Sequence, residues 1–201
     1  MSEDPQPSAA PSLLRSIVTG ALGFCLVSLC VFATVTFGER WLYRSLGLFG
    51  AYLAWIVLFI ALGGAVFGSL VVVRWRLPRF YLLWTIAFYA YVAAWMIAYF
   101  ILPPTAGELI GALAGSILMA IVFAAGFRTL ASTPKLSAVL FVANSLGYFL
   151  GAAIFTTQLN ATGMLLFGVV YGLFFGAGIG AALHLVQGAF KSVVIVHCAN
   201  P

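Results

Sequence analysis

Charge is what this sequence has least of. Only 6% of its 201 residues are Asp, Glu, Lys or Arg, against about a quarter in an ordinary soluble domain. A fold of this size could not clothe a water-facing surface with so few charges, so a soluble globule is excluded. Acids are scarcest of all: Glu3, Asp4, Glu39 and Glu108 complete the set. The nine Lys and Arg residues lie in the end segments or between apolar runs. The net charge of +5 therefore belongs to loops at a lipid headgroup surface. It is not interleaved with aromatics into a phosphate-binding face, and no nucleic acid is expected as a partner.

Other absences narrow the chemistry. No Asp, Glu, Lys or Arg interrupts the middle of an apolar run, whereas proton-coupled pumps and ion-coupled exchangers commonly carry such groups inside the bilayer. A glycine-rich phosphate loop and a CxxC pair are both missing, so no cofactor is expected. His184 has no acid or cysteine at ligand spacing, which leaves no metal site. A Ser116–His184 dyad fails on three counts. Ala114-Gly115-Ser116-Ile117 lacks a glycine-flanked serine, the second apolar run offers no His or Asn for an oxyanion, and the two residues fall at different depths. The expectation is a protein that is not an enzyme.

Cysteine is sparse as well. Cys25 and Cys30 are five positions apart, about 140° around a helix, and so read as separate, buried small apolar thiols rather than a pair. Cys198-Ala199-Asn200-Pro201 lacks the aliphatic residue that a prenylation signal needs. Asn160-Ala161-Thr162 matches a glycosylation sequon in a loop too short to serve as one. Residues 1–12 carry two acids and three prolines, and the apolar run behind them exceeds a signal-peptide core. An uncleaved first membrane helix is expected there.

What the chain does have is apolar length. Hydrophobic residues make up 64% of it. The run 46–73 contains no charge and ends in Arg74-Trp75-Arg76-Leu77-Pro78-Arg79. It exceeds the ~20 residues that an α-helix needs to cross hydrocarbon. At ~1.5 Å per residue it would span ~42 Å against a ~30 Å core, so it must tilt, kink near Gly63-Gly64 or begin in the interface. Further spans read as 16–37, 80–102, 106–127, 136–157 and 162–187, with 38–44 a polar loop and Pro103-Pro104 a helix stop.

The reading is an all-α bundle of six transmembrane helices over 15–187, with a disordered tail at 1–14 and a C-terminal tail at 188–201. Seven Lys and Arg residues fall on the side that holds both ends and two, Arg40 and Arg44, on the other. Both termini are therefore expected in the cytoplasm, in a bacterial plasma membrane.

Short matches hint at duplication. Gly20-Ala21-Leu22 and Val31-Phe32-Ala33 recur 91 positions later as Gly111-Ala112-Leu113 and Val122-Phe123-Ala124. Leu62-Gly63-Gly64-Ala65-Val66-Phe67 resembles Leu150-Gly151-Ala152-Ala153-Ile154-Phe155 at an offset of 88. A three-helix unit repeated once must be inverted in the membrane. The opposing account is chance, because membrane helices draw on a small alphabet.

Two patterns supply candidate residues. Gly168, Gly172, Gly176 and Gly180 recur every fourth position, with His184 next in the series. Lipid gives helices no hydrophobic push together, so small residues that admit close backbone approach supply the attraction. This face serves either packing inside one bundle or pairing with a second copy or another membrane subunit. Tyr81, Trp84, Phe88, Tyr91 and Trp95 form an aromatic stripe on the third span. Tyr91 lies at mid-depth, where its hydroxyl needs a partner. Asn144 is the deepest of a series with Ser137, Gly151 and Gln158 on one face of the fifth span. Tyr91, Asn144 and Gly151 are thus the candidate polar network or solute site. The first functional expectation is an accessory, assembly or scaffold protein surrounded by lipid. The alternative is a small permease or channel for a neutral or apolar solute.

Overall fold

The computed structural model describes residues 11–71 and 77–199, and side chains as far as Phe190. Among these every regular element is helical: α1 (Leu13–Gly68), α2 (Leu77–Ile101), α3 (Pro104–Gly126), α4 (Thr133–Thr157) and α5 (Ala161–Ala199), with a 3-10 turn at Leu130–Ser132 before α4. Among the described residues five helices are long and apolar enough to cross a membrane. Most of the expected tail 1–14, and Arg74 and Arg76, lie outside the described residues, as does the Cys198 side chain.

α1 is two arms. Gly47 breaks it at φ 68° and ψ 178°, a backbone region that only glycine enters without strain. An added Cβ at Gly47 would meet nothing within 4 Å, so conformation rather than crowding demands glycine there. The chain folds back on itself at this point. Gly23 packs against Val66, and the Phe24 ring lies 5.4 Å from that of Phe67. Nearer the turn, Val31, Ala51 and Trp55 form a small apolar cluster of their own.

This corrects two expectations. Residues 38–44, expected as a loop, continue the helix of the first arm, because Glu, Arg, Trp, Leu and Tyr carry no strong helix penalty. The second apolar run, expected as one helix over 46–73, is shorter, and of the three ways of fitting its length the kink at Gly63-Gly64 is not used. Its helix starts after Gly47 and ends at Gly68, giving an arm of ~31 Å that matches a ~30 Å hydrocarbon core. Gly63 and Gly64 have another use: an added Cβ at Gly63 would come within 2.8 Å of the Trp84 ring, and one at Gly64 would strike Tyr81.

The remaining boundaries follow from local chemistry. Ser12 caps α1 by accepting the Arg15 amide. Pro104 opens α3, where its missing N–H is no loss. α3 closes with Arg128 in the left-handed region at φ 57°, while the Thr129 amide reaches back to the Ala124 carbonyl and that of Arg128 to Ala125. That is a Schellman cap with arginine in the place glycine usually takes. α5 runs past Gln187, the expected end of the last span, to Ala199.

The core draws on all five helices, and one cluster of its rings lies where α1, α2 and α5 meet. Phe24 sits at its centre, its ring 5.6 Å from Phe59, 6.4 Å from Trp84 and 5.9 Å from Phe175. The α2 stripe fastens onto the second arm of α1: the Trp84 indole donates to the Ile60 carbonyl at 3.0 Å, and the Tyr81 hydroxyl to the Ala61 carbonyl at 3.1 Å. Both rings thereby bury apolar area and satisfy their polar tips.

Candidate functional site

Tyr91 enters the centre of the bundle from α2 and Asn144 from α4, and both are buried. Helical spacing places Tyr91 one turn beyond Ala87 and Phe88 on the buried face of α2. Asn144 stands one turn beyond Leu140 on that of α4. The Tyr91 hydroxyl donates to the Asn144 Oδ1 at 2.7 Å. Tyr171 of α5 brings its own hydroxyl to 3.4 Å from that of Tyr91. Three helices therefore share one polar knot inside a ring-lined centre, with the Phe175 ring tilted against both tyrosines, 5.1 Å from Tyr91 and 5.4 Å from Tyr171.

Gly151, the third candidate, stands elsewhere. It is buried two turns further along α4, where an added Cβ would lie 3.1 Å from the Phe167 ring. It is a packing position on α5 rather than a member of the polar knot. Tyr171 takes the place that the sequence reading gave to glycine. Its hydroxyl could have been found in the sequence, since it is the tyrosine of the fourth-position glycine helix.

The glycine face of α5 is covered by the first arm of α1. An added Cβ at Gly168 would crowd Phe32, one at Gly172 would come within 2.7 Å of Cys25 and Ser28, one at Gly176 would strike the Gly20 carbonyl, and one at Gly180 the Ser16 carbonyl. His184 continues this series, and its Nδ1 lies 3.0 Å from the Pro11 carbonyl. As the carbonyl can only accept, the ring donates there. The Gln187 amide, buried one turn on, donates to the Leu70 carbonyl at 3.1 Å. Pro11, Leu70 and the His184–Gln187 turn thus gather at one end of the bundle.

No family model, curated protein or solved structure matches this chain. The site must therefore be read from its own geometry. The other glycine faces are occupied too: Gly107, Gly111 and Gly115 lie on α2 at Ala98, Trp95 and Tyr91, and Gly147 lies on α5 at Tyr171. Cys30 is exposed and Cys25 half-buried, which corrects the expectation that both thiols are buried. At the Gly47 end, the Tyr148 hydroxyl donates to Glu108 at 2.9 Å. That half-buried carboxylate is thus held by a neighbouring helix. Ser116 is fully buried with its hydroxyl unpartnered, while His184 points its Nδ1 at Pro11. The two make no dyad.

Proposed function

We propose that the chain crosses the membrane six times, with both ends in the cytoplasm of a bacterial cell. In support, the second arm of α1 matches the thickness of a bilayer core. Arg40 and Arg44 sit close to the Gly47 turn, while Arg15, Arg79, Arg128 and Lys135 lie toward the opposite end. Single cysteines placed at exposed Ser45 and Ala131 in a cysteine-free background test this reading. A membrane-impermeant maleimide should label Ser45→Cys in intact cells and Ala131→Cys only after lysis. Labelling of both from one side excludes an odd number of crossings between them, and the reverse pattern inverts the orientation.

We also propose that the two halves are inverted copies. The first arm of α1 packs on α5, as α3 packs on α2, so each half lends its first helix to the third helix of the other. Gly20 lies at the first seam against Gly176 and Gly180, and its counterpart Gly111 lies at the second against Trp95. Within the halves, Gly63 packs on Trp84 and its counterpart Gly151 packs on Phe167.

The function this arrangement supports best is non-enzymatic: an accessory, assembly or scaffold subunit within a membrane complex. The observation that carries it is the 2.7 Å bond from Tyr91 to Asn144 among close-packed rings. It commits the deepest amide to holding helices together. A second reading, a permease for a small neutral solute, draws on the position of the same knot at the junction of the two halves, where inverted-repeat carriers place their substrates. Proteoliposomes separate the two. A scaffold passes glycerol or urea no faster than empty vesicles and co-purifies in mild detergent with a stoichiometric membrane partner. Flux that disappears in Asn144→Leu overturns the scaffold and establishes the permease.

A further inference from the structure

We propose that the end of the bundle where α4 begins carries a binding pocket for a phosphate-bearing anion of the size of a phospholipid headgroup. A cavity of about 300 Å³ opens there between the first turn of α4 and the stretch of α5 from His184 to Ala189. Ser132, Lys135 and His184 supply its polar wall, and Leu136 and Leu185 an apolar one. A wall of both kinds suits a ligand with a charged head and a greasy neck. The inference does not depend on whether the protein acts as a scaffold or a permease.

Three features set the sign of the ligand. Lys135 is exposed, and the described acids, Glu39 and Glu108, belong to the far end of the bundle, near Gly47 and Pro104. The ammonium is therefore uncompensated by any carboxylate in the described chain. The N-terminus of α4 also faces this region and turns the positive end of the helix dipole toward it, although the Thr133 amide is spent on the Leu130 carbonyl and Pro134 has none. Ser132, at its cap position, makes no capping bond with its side chain, so the hydroxyl is available to an anion. Basic pockets between membrane helices at the cytoplasmic surface are suited to acidic lipid headgroups.

Gly188 gives the pocket an experimental handle. Among the described residues a Cβ added there would meet nothing within 4 Å, so Gly188→Leu should fill the cavity without displacing backbone. The full chain, purified in uncharged detergent, is offered phosphatidylglycerol or phosphatidylcholine and its retained lipid is counted by native mass spectrometry. Wild type should retain phosphatidylglycerol in preference. Lys135→Gln should weaken that retention about fivefold, the worth of one surface lysine, Lys135→Arg should preserve it, and Gly188→Leu should abolish it. Unchanged helicity and elution volume certify that the variants fold. In a parallel arm, inorganic phosphate at constant ionic strength is tested for a rise in Tm. A rise lost in Lys135→Gln, without lipid preference, assigns the pocket to a soluble phosphate instead. Equal retention of both lipids with no response to phosphate overturns the proposal. So does phosphatidylglycerol binding that ignores both Lys135→Gln and Gly188→Leu.

Discussion

Gly176→Leu should fail to assemble a stable bundle. The glycine lies against the Gly20 carbonyl and 2.6 Å from the Phe24 Cβ once a Cβ is built on it. The first obstacle is backbone, which cannot rotate away as a side-chain tip can. Overpacking of this kind costs ~3 kcal/mol or more when nothing can yield. The α1–α5 seam would open along its length, because Gly172 and Gly180 rely on the same interaxial distance. Thermal unfolding in mild detergent and size-exclusion chromatography read the loss directly. Gly188→Leu on the same helix is the control: it adds an identical side chain where space is open, and its Tm should stay near wild type. If Gly176→Leu melts like wild type, the close approach of α1 and α5 is not what holds the molecule together.

Asn144→Leu and Tyr91→Phe should each destabilise the protein, and the double variant should lose less than their sum. Either single change leaves the other polar group in the ring-lined centre with only a long contact, Tyr91 with Tyr171 at 3.4 Å, or none. A buried group left unpaired costs ~1–3 kcal/mol, whereas replacing both partners with apolar groups of similar shape approaches neutrality. Interhelical bonds in membranes average ~0.6 kcal/mol and reach ~1.7 kcal/mol. The coupling energy from a double-mutant cycle should fall in that range. Strict additivity would mean that the 2.7 Å bond contributes nothing to stability.

The sequence made much of this legible, for physical reasons that can be named. Pro103-Pro104 stops one helix and starts the next because proline offers no amide to a preceding turn. The fourth-position glycines of α5 identify a face of close approach because a bilayer leaves few other ways to attract helices. Tyr91 and Asn144 stand out because a lone polar group in hydrocarbon must find a partner. That they find each other, 53 positions apart, is set by how α2 and α4 cross, which no spacing within either helix encodes. Gly151 illustrates the same limit: it shares a face with Asn144, but two turns of helix carry it past the knot to Phe167. The turn at Gly47 was hidden for a different reason. Polarity marks where hydrocarbon ends, not where a helix ends, so the polar stretch 38–44 looked like a loop while the reversal fell on one glycine just inside the apolar run.

The α1–α5 seam also imposes an order on synthesis. The helix that carries Gly20 leaves the ribosome more than a hundred residues before the one that carries Gly176. At ~5–20 residues per second, that interval lasts on the order of ten seconds or more. Throughout it, the groove meant for α5 must be covered by something other than its final partner. The seam that locks the finished molecule is thus among the late ones to form, and a nascent chain stalled short of α5 would present a narrow, glycine-lined furrow to whatever quality-control machinery surveys the membrane.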